Sequence, residues 1–252
     1  MIKLVNLTKV YRGFRAVDGL NLEVGKGVLF GFLGPNGAGK TTTIKMMAGV
    51  LRPTEGEVII SGMDISKNPS EVKRCTGFIP DRPFLYEKLT GMEFLCFVDG
   101  LYRLDHHPPR KRGILELLET FDLSHWSDEM IESYSHGMKQ RLVMCAALLH
   151  KPKVLIVDEP MVGLDPKGAR LVKNIFKEQV KKGTTIFMST HSLEVAQEVC
   201  QEIAIIQAGK IIAKGTADDL KKKSGVEGSL ENIFLKLTEG KRVVHERPLS
   251  AS

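Results

Sequence analysis

The segment GPNGAGKT, residues 34–41, has the residue types and the spacing of a phosphate-binding loop. It fits the pattern G-x-x-x-x-G-K-[ST], and it lies between an apolar run typical of a buried strand and a segment with helical spacing, which is the context that this pattern needs. Glycines let the backbone fold so that its amides surround phosphate oxygens, and the N-terminus of the following helix adds a positive dipole. The segment therefore predicts a loop that binds the phosphates of a nucleotide.

Two pairs of side chains could act on such phosphates. In the loop itself, Lys40 supplies a positive charge for the β- and γ-phosphates, and Thr41 supplies a hydroxyl that can ligate magnesium. Asp158 and Glu159 end the apolar run VLIV, where adjacent acids are costly unless a cation lies nearby. We predict that Asp158 meets Mg²⁺ directly or through its water, and that Glu159 orients or deprotonates a water that attacks the γ-phosphate.

Three further polar residues have both a structural and a functional interpretation. His191 follows the apolar run TTIFMST, and open α/β folds bind ligands at the carboxyl ends of their strands, so this histidine could reach a γ-phosphate. Asp165, in the turn GLDP, is by itself a predicted helix N-cap with Pro166 at the first helical position. Ser135, in SYSHGMKQRL, is also a predicted cap, but a serine hydroxyl and the amides at a helix N-terminus equally form an anion site.

Strand and helix patterns alternate along the chain around these residues. Apolar patterns predict strands over 2–7, 20–24, 28–33, 57–62, 153–160 and 184–190, and a hairpin over 202–215. Helical spacing predicts helices over 40–51, 91–104, 111–121, 137–150, 166–181 and 192–200. Three of these helices fall between residues 84 and 150 with no predicted strand among them. The sequence therefore predicts a helical block inserted into an α/β core.

Composition and charge exclude several classes of protein. With 42% hydrophobic and 26% charged residues, the chain is not fibrous, collagen-like or wholly disordered. No run approaches the roughly 18 to 20 uncharged apolar residues of a membrane helix, and the N-terminus lacks an apolar secretion signal, so we expect a cytosolic chain that does not span a bilayer. The net charge of +6 is spread through the chain, so we expect no nucleic-acid partner. The four cysteines form no C-x-x-C pair and are predicted to be buried or half-buried thiols.

Taken together, the motifs resemble those of the nucleotide-binding subunits of ATP-binding cassette (ABC) transporters, over about residues 2–237. The motifs that carry the resemblance are GPNGAGKTT, GFIPD, YSHGMKQ, VLIVDEP, GLDP and STH, in the order found in the family. The resemblance implies a P-loop nucleoside triphosphatase core, with a mixed or parallel sheet flanked by helices, antiparallel N-terminal strands and an inserted helical subdomain. It implies one domain over 1–237, made of a nucleotide-binding core (1–83 and 151–215), a helical signature subdomain (84–150) and C-terminal helices (216–237), with a flexible tail over 238–252.

The resemblance also implies a role for each residue that matches a family motif, with ATP and Mg²⁺ as the ligands. Tyr11 would stack on adenine, although an ordinary strand aromatic is an equal alternative from the sequence. The residues implied to hold the phosphates are Gly34, Asn36, Gly37, Gly39, Lys40, Thr41 and Thr42. Those implied to act in catalysis are Glu159, His191, Lys40 and Asp81, and those implied to meet the metal are Thr41, Asp158 and Asp81. Asp165 would help to communicate across a dimer.

Two positions depart from the usual family pattern. Asp81 stands where the family usually has Gln, and a carboxylate can still meet magnesium or its water but cannot donate a hydrogen bond to the attacking water. The family signature is usually Leu-Ser-Gly-Gly-Gln, and only its Ser and second Gly remain here, as Ser135 and Gly137. The resemblance implies that these two, with His136 as a possible extra donor, hold the γ-phosphate that is bound to a second subunit.

The implied function is an ATP-hydrolysing subunit that closes head to tail with a second copy, or with a related chain, around two MgATP. Such a pair would drive a separately encoded transmembrane permease from the cytoplasmic face of the membrane. The forms YSHGMKQRL and GSLENIFLKLTEG resemble those of exporters. The alternative is a soluble ABC-type ATPase that clamps nucleic acid or the ribosome, but such proteins usually carry a long coiled-coil insertion or tandem cassettes, which this sequence lacks.

Overall fold

Ten strands form two sheets in the computed structural model, which describes residues 1–102, 111–224, 231–232 and 234–235. The strands are β1 (Ile2–Tyr11), β2 (Phe14–Val24), β3 (Leu29–Leu33), β4 (Glu55–Ile60), β5 (Met63–Asp64), β6 (Thr76–Ile79), β7 (Val154–Asp158), β8 (Thr185–Thr190), β9 (Glu202–Gln207) and β10 (Lys210–Gly215). The larger sheet has the order β10-β9-β3-β8-β7-β6, and the smaller one the order β2-β1-β4-β5.

The larger sheet is parallel except at one edge. Strands β9, β3, β8, β7 and β6 run parallel, and β10 pairs antiparallel with β9. The smaller sheet is antiparallel throughout. Because β3, β7 and β8 are parallel neighbours, the loops that follow their carboxyl ends meet at one edge of the sheet. The predicted α/β fold class, with a mixed sheet and antiparallel N-terminal strands, is confirmed.

Helices lie on the larger sheet and in the block between β6 and β7. They are α1 (Lys40–Met47), α2 (Pro69–Arg74), α3 (Gly91–Tyr102), α4 (Lys111–Thr120), α5 (His136–Leu148), α6 (Pro166–Lys181), α7 (Leu193–Val199) and α8 (Ala217–Ser224). The inserted block contains α3, α4 and α5, whose apolar faces share one core with α6 and with parts of β7 and β8. None of the described helices is long and apolar enough to cross a membrane.

Burial explains which strands were visible in the sequence. Strands β3 and β7 are buried along their whole length, and their sequences are therefore continuous apolar runs. The N-terminal hairpin is longer than the predicted strands over 2–7 and 20–24, because its two strands reach the turn at Arg12 and Gly13. The short elements β5, α2 and β6 were not predicted. The predicted helical residues 103–104, parts of the implied C-terminal helices over 216–237 and the tail over 238–252 lie outside the described residues.

His150, just beyond α5, links the helical block to the larger sheet. Its ring stacks on Tyr102, with centroids 3.9 Å apart and planes 7° apart, and its Nε2 lies 3.2 Å from the carbonyl oxygen of Thr76. Burial lowers the pKa of His150, and the hydrogen bond to Thr76 opposes that shift only in part. The folded protein therefore keeps this imidazole neutral to a lower pH than the unfolded chain does.

We expect His150 to make the folded protein less stable as the pH falls below 6.5, the ordinary pKa of its side chain. Below that value the unfolded chain binds a proton that the folded chain excludes, so the free energy of unfolding falls; above it the contribution is complete. His150→Phe keeps a ring for the stack but cannot titrate. Urea unfolding on both sides of this pH should show a smaller loss in the variant, and equal losses in the two proteins would contradict the expectation.

Candidate active site

The predicted phosphate loop lies between β3 and α1 and has a backbone that only glycine accommodates easily. Gly37 and Gly39 have φ angles of 79° and 106°, in the region that favours glycine. A Cβ on Gly34 would overlap the carbonyl oxygen of Ile206, and one on Gly39 would lie 2.5 Å from the carbonyl oxygen of Ala16. Backbone therefore packs closely against the loop at Gly34 and Gly39, and a side chain at either position would have to displace it.

Lys40 is the first residue of α1 and its amine is held by the loop itself. Its Nζ donates to the carbonyl oxygens of Gly34 and Pro35, at 2.7 and 3.2 Å, and only 7% of the residue is exposed. Burial lowers the pKa of Lys40, against the attraction of Glu159 and Asp158. The nearest of their carboxylate oxygens to Nζ is Oε1 of Glu159, at 4.0 Å. A buried cation thus stands between the loop and the acid pair.

Asp158 ends β7 and is buried against β8. Its Oδ1 accepts a hydrogen bond from the hydroxyl of Ser189, the residue that pairs with it in the register of the two strands. Burial raises the pKa of Asp158, the hydrogen bonds from Ser189 and Thr41 lower it, and the nearby carboxylates of Asp81 and Glu159 raise it further. The structure therefore brings four predicted residues together and adds Ser189, which the sequence did not single out.

Glu159 adopts a strained backbone conformation directly after β7. Its φ angle is 49°, unusual for a residue with a side chain, and its amide donates to the carbonyl oxygen and hydroxyl of Ser189, both at 3.2 Å. This turn points its carboxylate towards two groups. Oε1 faces Lys40, and Oε2 lies 2.9 Å from Nδ1 of His191 and accepts from the amide of that residue at 3.4 Å. The acid therefore lies between the loop's lysine and the predicted histidine.

The signature residues lie at the N-terminus of α5, and the contacts described for them run to a loop of their own chain. Ser135 caps the helix by accepting a hydrogen bond from the amide of Met138 at 3.3 Å. The imidazole of His136 occupies the space that a Cβ on Gly163 would need, and a Cβ on Gly137 would lie 3.6 Å from Leu164. The structure therefore does not bring these residues together with the chain's own phosphate loop.

Most of the remaining predicted residues lie at the surface. Asp165 caps α6 by accepting from the amide of Gly168 at 2.9 Å, as its position in the turn GLDP predicts. Tyr11 ends β1 opposite Phe14 and is 44% exposed, with Nζ of Lys9 5.4 Å from its ring centroid. The ring is thus partly open to solvent, with the amine of Lys9 over one of its faces. Asn36 and Thr41 are exposed, Thr42 is half-buried, and Asp81 is exposed two residues after the end of β6.

The donor groups at this edge suit a nucleoside triphosphate and a hard cation. The loop offers backbone amides and one buried amine, which is the donor set that phosphates require. The Thr41 hydroxyl and the Asp158 carboxylate offer oxygen ligands, which Mg²⁺ prefers. No group of three or more His, Cys, Asp or Glu residues in the described part of the chain could hold a metal ion alone. A magnesium ion here would complete its coordination with phosphate oxygens and water, its usual mode in nucleotide sites.

We expect Gly39→Ala to disrupt the loop more than Gly37→Ala does. Both substitutions force a side chain into positive φ, which costs roughly 1–2 kcal/mol, but only the Cβ at position 39 also meets backbone, while position 37 has no atom within 4 Å. Gly39→Ala should lower ATP affinity at least ~10-fold, equivalent to about 1.4 kcal/mol, and lower the midpoint of thermal unfolding. Titration with a fluorescent ATP analogue checks this, and equal affinities of the two variants would contradict it.

A parallel sheet with a glycine-rich phosphate loop after β3 and an acid pair after β7 defines a P-loop nucleotide-hydrolysing protein. The family model described as ABC transporter matches residues 17–162. The chain belongs to the ABC transporter family and is the subunit that binds and hydrolyses ATP. The resemblance that the motifs predicted is therefore confirmed, and the alternative of a nucleic-acid clamp finds no support among the relatives.

Relatives and solved structures agree with this assignment. The chain is 39% identical over 224 residues to the daunorubicin/doxorubicin resistance ATP-binding protein DrrA of Streptomyces peucetius, covering 89% of this chain and 68% of that protein. It is 39% identical to the bacitracin transport ATP-binding protein BcrA of Bacillus licheniformis, covering 89% and 72%. A solved ATP-binding subunit of an ABC transporter superposes with a TM-score of 0.87 at 32% identity, covering 94% and 99%. The dimeric ATP-binding cassette MJ0796 bound to ADP and Pi superposes with 0.80 at 25% identity, covering 86% and 98%.

Proposed function

We propose that two copies of this chain, or this chain and a related one, close head to tail around two MgATP and thereby drive a separate membrane permease. The observation that carries the proposal is the position of the signature. Ser135 and His136 are exposed at a helix N-terminus suited to an anion, whereas the chain's own phosphate loop is served by Lys40 and Glu159. The dimeric form of the MJ0796 cassette supports this arrangement.

Each residue near the phosphate loop has a separate role in the proposed reaction. Glu159 orients the attacking water and accepts its proton, and His191 holds the Glu159 carboxylate through Nδ1 and can turn towards the γ-phosphate, since its own side chain is largely exposed. Lys40 exchanges its carbonyl partners for phosphate oxygens. Mg²⁺, when bound, neutralises charge on the phosphates, and Thr41 and Asp158 would hold it.

Three other predicted residues complete the proposed site. Tyr11 stacks on adenine with its exposed ring. The carboxylate of Asp81 lies near enough to Asp158 to raise its pKa by charge repulsion. Asp81 contacts magnesium or its water, and it transmits the nucleotide state to the segment that follows it. Asp165 caps α6 at the end of the loop that touches the signature, so it links the two faces of the dimer.

The permease is proposed to dock on the segment from Asp81 to Leu95 and on the exposed side of α3. This region carries large apolar side chains in contact with solvent, among which Phe84 is 88% exposed and Tyr86 is 54% exposed. Exposed apolar clusters of this kind mark protein interfaces. A chain that docks there on a permease would work at the cytoplasmic face of the membrane.

Export of drug-like compounds is the proposed direction and cargo class. Three relatives carry names that refer to resistance against daunorubicin, doxorubicin or linearmycin, and a fourth is named a bacitracin transport protein. The cargo itself is selected by the permease rather than by this chain.

Purification from native membranes tests the proposal. We expect the tagged chain to co-purify with a multi-span membrane protein, identified by mass spectrometry, and Phe84→Asp to lose that protein while it binds and hydrolyses ATP as before. Leu115→Asp is the matched control, because Leu115 is an exposed apolar residue of α4 outside the proposed docking segment. Equal recovery of the membrane protein with both variants would contradict docking through Phe84.

A further inference from the structure

Gln140, in helix α5, is a buried polar residue that the chemistry above does not use. Its side chain is fully buried, and neither its Nε2 nor its Oε1 has a hydrogen-bond partner among the described residues. The group can donate two hydrogen bonds and accept two. Leaving it unpaired in the interior costs free energy that an apolar side chain of similar size would not cost, so its presence needs an explanation.

The position of Gln140 along α5 shows which part of the chain lies near its side chain. Three residues earlier, Gly137 lies against Leu164, beyond the end of β7. Seven residues later, and so on nearly the same helix face, the carbonyl oxygen of Ala147 lies 2.5 Å from where a Cβ on Gly77 in β6 would be. Gln140 lies between these two contacts, roughly 10 Å along the helix from the second. That distance brings it to the level where β6 and β7 end.

The segment beyond β7 is the loop from Pro160 to Leu164, and its main chain has few internal hydrogen bonds. The amide of Val162 donates to the carbonyl oxygen of Glu159 at 3.3 Å, and that of Leu164 to Met161 at 3.3 Å. Both are long for hydrogen bonds between main-chain groups. This loop begins directly after Glu159, so a movement of the loop would also move the main chain that carries the Glu159 carboxylate.

We propose that Gln140 is a positioning residue for this loop. When nucleotide binds, Glu159 moves towards the phosphates and the Pro160–Leu164 loop moves with it, closer to Gln140 on α5. The main chain of the loop then forms hydrogen bonds with the side-chain amide of Gln140. These bonds hold the Glu159 carboxylate where it can act on the attacking water. An amide suits the task because it can both donate to a carbonyl and accept from an N–H without carrying a charge into the interior. The inference rests on the proposed role of Glu159.

Gln140→Met tests the inference, because methionine has a similar length and no hydrogen-bonding amide. We expect the variant to unfold at the same temperature as the unchanged protein or higher without nucleotide, to bind a fluorescent ATP analogue with unchanged affinity, and to hydrolyse ATP with a kcat at least ~10-fold lower at unchanged KM. Met144→Leu is the matched control, since Met144 is one turn further along the same buried face and has no amide. It should keep both kcat and thermal stability.

Three results would overturn the inference. The first is an unchanged kcat in Gln140→Met, and the second is a lower kcat together with an equal loss of thermal stability, which would indicate a packing role alone. The third is a fall in kcat of the same size in Met144→Leu. Failure of the proposed function is a separate result, because it would appear as full ATP hydrolysis by Glu159→Gln whatever Gln140→Met does.

Discussion

Glu159→Gln is expected to bind ATP normally and to hydrolyse it at least ~100-fold more slowly than the unchanged protein, which corresponds to about 2.7 kcal/mol of transition-state stabilisation. The amide keeps the size of the side chain and can still bond to Nδ1 of His191, now 2.9 Å from the carboxylate. It cannot take a proton from the attacking water. Because ATP persists in the site, the variant should accumulate as a dimer at saturating ATP.

Phosphate release measures the rate of Glu159→Gln, and size-exclusion chromatography with and without ATP measures the dimer. Glu198→Gln is the matched control: Glu198 is an acid on α7 whose carboxylate pairs with Lys173 at the surface, and its loss should leave both measurements unchanged. A Glu159→Gln protein that remained monomeric at saturating ATP would contradict the head-to-tail mechanism. Unimpaired hydrolysis would instead remove Glu159 from the catalytic role.

Gly137→Asp is the second substitution with a large expected effect, because it should abolish the dimer while leaving the single chain intact. A Cβ at Gly137 meets no atom closer than 3.6 Å, so the fold accepts the side chain. In the proposed dimer the new carboxylate would face the partner's γ-phosphate, and like charges placed together at an interface cost several kcal/mol. ATP hydrolysis should fall roughly 100-fold, equivalent to about 2.7 kcal/mol, with ATP affinity per chain unchanged.

Gly100→Asp introduces the same side chain at a control position, a glycine of α3 where an added Cβ would have no atom within 4 Å. Thermal unfolding should give similar midpoints for both variants, and only Gly137→Asp should fail to dimerise. Mixing Gly137→Asp with Lys40→Met sharpens the test, since both defects would fall in one composite site of a mixed dimer and leave the other site intact, so the mixture should hydrolyse ATP faster than either variant alone. If Gly137→Asp dimerised and hydrolysed ATP normally, the signature would not contact the partner's nucleotide.

The parts of the site that are contiguous in sequence were predictable. The phosphate loop needs residues at fixed spacing, and its glycines and Lys40 appear together in one short segment. The acid pair after β7 was visible because the strand before it is wholly buried and reads as an apolar run. The caps at Ser135 and Asp165 were also predicted correctly, since capping depends on residues only three positions apart.

The parts that depend on register between distant segments were not predictable. Ser189 reaches Asp158 because β7 and β8 pair side by side with that register, and no local pattern in either strand specifies it. The packing of His136 on Gly163 depends on how the helical block meets the core. The strand β6 and the helix α2 have only four and six residues, which is too few for a periodic pattern of apolar residues to be told from chance.

The carbonyl partners of Lys40 have a consequence for turnover. Gly34 and Pro35 give its amine two hydrogen bonds, so phosphates that bind Lys40 must compete with groups that belong to the protein. The contribution of Lys40 to nucleotide affinity is then the difference between its hydrogen bonds to phosphate and its hydrogen bonds to the two carbonyl oxygens. In an ATPase that must discard ADP and phosphate in every cycle, the same carbonyl oxygens would replace phosphate as partners of the lysine and so favour product release.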